Sequence, residues 1–480
     1  MPIPDSTTVA QPGLRRTLGP WTLWGLGVGY VISGEYFGWN LGLPHGGIWG
    51  MLVAFVLVTV MYVTFVLSYA ELACAMPRAG GGFVYASRGL GPCAGYFTGV
   101  AQLVEFLFAP PAIAMALGAY VATRFPDLEP KWVAIGALAA FTALNLWGVQ
   151  QAATFELVVT LLAVGELALF GMVTAPSVSL ENFPGDSWGN GWTGVLAALP
   201  FAVWFYLAIE GVANAAEEAV HPQRDVALGF GTALATLVFL ATTVFVCGIG
   251  VGGWERIVWK PDDLVQTSWG VQPRAEAPLS DSPLPLALAQ VYPPGHVLYQ
   301  LLIGIGALGI ICSLNGIILA AGRALLEMGR AGFVPRILGS VHVTTQSPAA
   351  ALCANFLIGA GSILFLDTGG LITLSAMGAV TLYVLSMEAL VRLRHTAPDL
   401  PRPFRVPCYP VFPRAAQVLS LLVLVAMLWQ NASWDAPPWK SLTVWYVSIA
   451  IGAGLYYVRF ARPGTWSVAS VPDTAPGSPD

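Results

Sequence analysis

Apolar runs of about twenty residues recur along the chain from Trp21 to Phe460, and few charges interrupt them. A helix of that length crosses the hydrocarbon core of a bilayer. Inside lipid no water bonds the backbone, so a span must be a helix or part of a closed barrel. A barrel would show short strands of alternating hydrophobicity, and the sequence has none. Only 10% of the residues are charged and 56% are hydrophobic, against about 25% charged in a soluble chain. The sequence therefore reads as an all-α polytopic membrane protein in a lipid bilayer.

Twelve spans are expected, near 21–43, 47–70, 95–123, 131–147, 152–175, 193–219, 227–251, 297–328, 349–366, 371–394, 416–433 and 441–460. The first run is too long for a secretory signal, and no small-residue cleavage site follows it. The polar, Pro-rich ends, 1–18 and 463–480, are expected to be disordered tails. The longest loop, 252–296, carries a short apolar piece, "PLPLALAQV".

Basic residues set the orientation. Arg15, Arg16, Arg78, Arg88, Arg224, Arg323, Arg330, Arg336, Arg392, Arg394, Arg402, Arg405, Arg414, Arg459 and Arg462 fall at one set of span ends. Arg124, Lys131, Arg256, Lys260, Arg274 and Lys440 fall at the other. The positive-inside rule makes the richer side cytoplasmic. Both termini are then expected inside and the 252–296 loop outside. The six cysteines form no evident outside pair, so no disulfide framework is expected.

The lysines avoid the spans, but acids enter them: Glu35, Glu105, Glu156, Glu166 and Glu210. An acid at mid-membrane costs roughly 2.5–3.5 kcal/mol on insertion scales and normally faces the bundle interior with a partner. Few cationic partners are available here. Either these acids are protonated, or their cation arrives from outside as substrate or ion. Glu156 and Glu166, near the ends of one helix, read as structural. Glu35 and Glu210 sit beside Gly34 and Gly211 in mid-span, in "SGEYFG" and "AIEGVAN". Gly-interrupted spans at matching places in two halves point to a transporter site, where broken helices present backbone ends to a ligand. Span 1 opens the first five spans and span 6 the second five. Residues 19–176 and 193–394 are thus expected to be inverted-repeat halves, with 416–460 adding two peripheral helices. The other reading is a pair of packing glycines, each beside a neutral, hydrogen-bonded glutamate.

Catalytic patterns are not found. "GIGALG" (304–309) spells a nucleotide-binding fingerprint but lies inside an apolar span. His45, His221, His296, His342 and His395 form no ligand pair at helical spacing, so no metal site is expected. No nucleophile elbow or Walker loop is present. The chain is not expected to be an enzyme, to carry a cofactor or to bind nucleic acid.

Four segments are similar to signatures of the amino acid–polyamine–organocation transporters. They are "YAELACAMPRAGGGFVYASRGLGP" (69–92), "AEEAVHPQRDVALG" (216–229), "GRALLEMGRAGFVPRILGSVH" (322–342) and "LRHTAPDLPRPFRVPCYP" (393–410), in family order. Within that superfamily, "ISGEYFGWN" and "AIEGVANAAEE" resemble the ethanolamine permease branch. The resemblance implies the leucine-transporter fold and secondary active uptake across a bacterial cytoplasmic membrane. It also implies that Ser33 and Gly34 match an unwound motif where relatives bind a substrate carboxylate on backbone N–H groups. Trp204, Leu207 and Glu210 match positions near the substrate, the last tied to proton linkage in arginine antiporters. Span 5 lacks the lysine that replaces sodium in some members, and Ser313 stands near a hydroxyl sodium ligand of others. The coupling ion, H+ or Na+, stays open.

The substrate site expected from these readings comprises Ser33, Gly34, Glu35, Tyr36, Glu105, Trp204, Leu207, Glu210 and Gly211. Glu210 is the gating or proton-linked residue, and Ser313 is the candidate sodium ligand. Glu35 beside the carboxylate pocket would repel an amino acid's carboxylate and attract an ammonium. Ethanolamine, a small amine without a carboxylate, is the expected substrate. Its hydroxyl would bond the backbone or Tyr36, with cation–π contact from Tyr36, Trp204 or Tyr206. The alternative is a neutral or cationic amino acid permease of the same fold.

Overall fold

The computed structural model describes residues 17–460 apart from Ala79, 148–152, 268–269, 343–344, 346, 433–436 and 438–439. The expected tail 463–480 and residues 1–16 of the other lie outside these. Thr17 and Leu18, expected to be disordered, are ordered. Both donate their N–H to the Glu218 carbonyl, and the Val220 N–H returns to the Leu18 carbonyl at 2.9 Å. Backbone pairing across this short bridge ties the start of span 1 to the end of span 6.

Helices occupy all twelve expected positions. Spans 2 and 3 end and begin at Ala75 and Pro92, within the helices Leu43–Ala75 and Pro92–Arg124. Spans 4 and 5 are Pro130–Leu146 and Ala153–Thr174. Spans 7, 8 and 9 are Pro222–Gly250, Val297–Arg330 and Ala349–Phe365. Spans 10, 11 and 12 are Thr368–Thr396, Val411–Gln430 and Leu442–Arg459. Proline opens spans 3, 4 and 7, at a position whose N–H has no helical acceptor. Asp367 caps span 10, accepting the Gly370 N–H at 2.8 Å.

Spans 1 and 6 are broken, but not where glycine beside glutamate had pointed. Span 1 runs Pro20–Val31 and Ser33–Tyr36, with Ile32 between them still at helical angles. The backbone leaves the helix at Phe37, which is extended, and at Gly38, with φ of 93°. It resumes as a short 3₁₀ turn, Trp39–Gly42, and Gly47 (φ 62°) separates it from span 2. Span 6 is helical over Gly191–Trp204 and resumes as the 3₁₀ segment Ile209–Glu218. The link between contains Ala208 at φ 75°, which costs a non-glycine residue about 1–3 kcal/mol. The breaks thus lie two to three residues after Glu35 and just before Glu210. Glycine permits unwinding, but the packing described below decides where it happens.

Packing repeats when each span is exchanged for the one five positions away. Span 1 lies on span 7 as span 6 lies on span 2, and span 8 lies on span 5 as span 3 lies on span 10. Spans 3 and 8, and spans 4 and 9, meet their own counterparts. That exchange is the contact pattern of a two-fold repeat of five spans. Smaller elements lie between the expected spans. The 252–296 loop holds a hairpin, Leu264–Thr267 with Gly270–Pro273. A buried helix, Gly81–Leu90, fills the signature segment between spans 2 and 3.

The Arg-rich face has a buried anchor. Glu71, at the end of span 2, accepts from Arg394 Nε at 2.8 Å and from the Val406 N–H at 2.8 Å. Arg402 Nε lies 3.5 Å from the same carboxylate. The Arg394 guanidinium stacks 4.0 Å from the Tyr409 ring. One acid of span 2 therefore binds the end of span 10 and the loop after it.

Candidate substrate site at the crossing of spans 1 and 6

The two breaks lie against each other. A Cβ on Gly34 would collide with the Trp204 carbonyl, and one on Gly38 with the Trp204 ring. Phe37 meets Trp204 edge-on with ring centroids 5.4 Å apart, and Trp39 stacks on Phe205 at 5.9 Å. Glycine at both positions is what lets the backbones approach this closely.

Glu35 stands in this crossing. It is 0% exposed, and neither carboxyl oxygen has a hydrogen-bond partner among the described residues. The Tyr206 and Tyr36 phenols are within electrostatic reach. A buried acid of this kind is costly without a proton or a cation. The Trp204 indole N–H is also buried without an acceptor. Tyr206 is held by a 2.8 Å hydroxyl contact with Thr59, and its ring lies 5.1 Å from that of Tyr62.

The other expected site residues divide. Tyr36, one residue on from Glu35, points to spans 5 and 8. Its hydroxyl donates to Glu166 at 2.6 Å, and its ring fills the space left by Gly306 and Gly309. Adjacent helical residues do not share a face, so Tyr36 and Glu35 serve different surroundings. Ser33 turns toward span 8, where Ser313 Oγ lies 2.9 Å away, and Ser313 donates to the Tyr30 carbonyl at 2.6 Å. The Ser313 hydroxyl is thus engaged with span 1. Gly211 packs against the Tyr30 ring. Leu207 is buried within the span-6 link. Glu156 sits between Gly29 and Gly316, with Arg323 within electrostatic reach.

Glu210 and Glu105 come together. Glu210 lies in the first turn of the 3₁₀ segment and accepts from the Tyr383 hydroxyl at 2.9 Å. Tyr383 in turn meets the Tyr62 hydroxyl at 3.1 Å. Glu105, from span 3, faces the Glu210 carboxyl and the Ala208 N–H. Sequence reasoning missed Tyr62 and Tyr383. Nothing in an isolated span distinguishes a site tyrosine from a packing one, and their roles arise only from the meeting of spans 2, 6 and 10.

Residues 18–459 match the family described as amino acid permease. An uncharacterised transporter of Rhizobium meliloti is 29% identical over 88% of this chain and 89% of its own. The methylthioribose transporter of Bacillus subtilis is 25% identical, covering 93% of each. The branched-chain amino acid permease of the same organism is 26% identical over 88% of this chain and 90% of its own. The match runs from the residue before Gly19 to the last residue of span 12, so this polytopic helical protein belongs to the amino acid permease family and moves a small molecule across a membrane.

Proposed function

We propose that the protein is a secondary active transporter that imports a small organic cation, with ethanolamine as the substrate and Glu35 as the ammonium ligand. The observation that carries this reading is the Glu35 carboxyl, fully buried beside aromatic rings with both oxygens unpartnered. A cation supplies what that acid lacks. Two unit charges about 4 Å apart at an effective dielectric of about 20 interact by about 4 kcal/mol, attractive for an ammonium and repulsive for a carboxylate. At the carboxylate pocket expected at Ser33 and Gly34, the Trp204 backbone lies close against Gly34 and the Ser33 hydroxyl meets Ser313. Tyr36, expected to meet the substrate hydroxyl, is taken by Glu166. The unpartnered Trp204 N–H is the remaining donor at the crossing. By the arginine asymmetry, the Arg-rich face is cytoplasmic; the bacterial relatives support a bacterial cytoplasmic membrane.

The second reading is an amino acid permease, favoured by the similarity to a branched-chain amino acid permease. Competition in proteoliposomes separates the two. Ethanolamine should displace labelled ethanolamine at lower concentration than alanine, glycine, leucine, lysine or methylthioribose does. Glu35→Gln should abolish uptake while the protein remains folded. Displacement by any of those competitors at equal or lower concentration sinks the ethanolamine assignment.

A further inference from the structure

Asn40 follows the point where span 1 leaves the helix, and it is 0% exposed. Its side-chain amide bonds in two directions. Oδ1 accepts the Gly38 N–H at 3.1 Å. Nδ2 donates to the Ser280 carbonyl at 2.8 Å and to the Ile257 carbonyl at 3.4 Å, both in the 252–296 loop. These partners fix which end of the amide is which, because the reverse would set Oδ1 against two carbonyls and the NH2 against an N–H. Both donors of the side chain are thereby used. Trp39 continues the line toward the site: its indole N–H donates to the Glu35 carbonyl at 3.3 Å. On the loop side, the Ser280 N–H donates to the Val258 carbonyl at 2.7 Å, which holds the two acceptor strands of chain together. The short helix Pro283–Ala289 that follows buries Leu284 and Leu288. One amide therefore touches the break of span 1 with one end and the docked loop with the other.

We propose that Asn40 is a positioning residue for transport: it couples docking of the 252–296 loop to the shape of the span-1 break, and so to the place of the Glu35 carboxyl. Phe37 is extended and Gly38 sits at φ 93°, so the Gly38 N–H has left the helix and needs an acceptor elsewhere. Asn40 Oδ1 supplies it. A primary amide is planar, and its two ends cannot be aimed independently. The loop carbonyls hold the plane that presents Oδ1 to Gly38. Without them the side chain is free to turn, and the Gly38 N–H loses a fixed acceptor. Coupling of this kind is reciprocal. A ligand that needs Glu35 in place favours the docked loop, and the docked loop favours the ligand. Nothing in the sequence marks the tie, because Ile257 and Ser280 contribute backbone carbonyls from more than two hundred residues away. The inference rests on the transport site proposed above at Glu35, and not on which cargo fills it.

Hydrogen exchange of the protein in nanodiscs tests the tie without any ligand. Asn40→Asp, read at pH 8, well above the ordinary carboxyl value, offers the loop no donor. Its carboxylate still presents an acceptor to Gly38 whichever way it turns. Asn40→Ala removes both ends. Exchange in the loop peptides around Ile257 and Ser280 should rise at least tenfold in both variants. In the peptide 36–43 it should stay near wild type in Asn40→Asp and rise at least tenfold in Asn40→Ala. A loop that stays slow in Asn40→Asp, or a break that stays slow in Asn40→Ala, overturns the proposal. If Asn40→Ala does not fold, Asn40→Asp decides alone, through its loop exchange and its response to ligand. Saturating ethanolamine should slow loop exchange at least threefold in wild type and leave it unchanged in Asn40→Asp, whose binding is checked by thermal shift. A merely structural residue would leave that ligand effect in place. Equal slowing in both proteins therefore overturns the coupling, as does no slowing in a wild type that binds. Absence of any thermal shift in wild type refutes ethanolamine as cargo, and the exchange measured without ligand still decides Asn40.

Discussion

Glu71 and Glu35 are both 0% exposed, and they are opposite in every other respect. Glu71 has Arg394, Arg402 and the Val406 N–H around it. Glu35 has nothing. A buried carboxylate with a complete set of partners is an element of structure, because its neighbours already satisfy it. One without partners persists only if something outside the chain repays its burial. The contrast separates the anchor at the Arg-rich face from the site at the crossing of spans 1 and 6 by physical state rather than by position.

The largest test removes each acid. Glu71→Ala leaves two arginines without their carboxylate, and loss of one member of a buried ion cluster costs about 3–5 kcal/mol. Thermal unfolding in nanodiscs should fall sharply for Glu71→Ala, while Glu35→Gln stays at or above wild type. Equal losses of stability in the two variants would erase the distinction. A finer version is Arg394→Lys, which keeps the charge but loses the fork and the stacking on Tyr409. It should cost less, about 1.5–3 kcal/mol.

This difference was only half legible in the sequence. Glu35 stands out there because a charge interrupts an apolar run next to glycine. Glu71 does not, since its partners Arg394, Arg402 and Val406 lie more than three hundred residues away and only folding brings them near. The twelve spans and the two broken ones follow from hydropathy and glycine placement. The break positions do not follow, because Gly34 is consumed in close contact with span 6 and the chain leaves the helix instead at Phe37–Gly38 and Ala208. Nor does the direction of Tyr36, which depends on the slot that Gly306 and Gly309 leave in span 8.

Glu166 occupies the middle ground, an acid with one neutral partner. Tyr36→Phe removes the 2.6 Å hydroxyl contact and leaves a buried acceptor unsatisfied, at a cost of about 1–3 kcal/mol. Ethanolamine uptake should survive in that variant, with its apparent affinity within about threefold of wild type, a binding change of under 1 kcal/mol. A tenfold loss of affinity at unchanged stability would return Tyr36 to the substrate site and narrow the contrast to Glu35 alone.

The smallest effect lies outside the membrane. Asp281, in the 252–296 loop, accepts from the Thr368 hydroxyl at 2.6 Å, at the start of span 10. Burial pushes its carboxyl up to about 6, with Asp367 adding to the rise and the Thr368 hydrogen bond and Lys260 opposing it. The folded value lies above the unfolded one, near 3.9, so the neutral form favours the docked loop. Its contribution is complete below about pH 4 and is lost as pH rises through about 6. Hydrogen exchange in the loop should therefore quicken modestly between pH 5 and pH 7 after correction for intrinsic rates, a window set by that shift. Asp281→Asn, neutral at every pH and still an acceptor for Thr368, should exchange at the slow rate throughout. Asp281 then resembles neither extreme: it has a partner, as Glu71 does, but that partner is uncharged and leaves the carboxylate only partly satisfied. If exchange in the wild-type loop is flat across the window, or if Asp281→Asn keeps the same pH step, the loop is held by its other contacts, such as the Asn40 amide on the Ser280 carbonyl at 2.8 Å, and Asp281 contributes nothing to its docking.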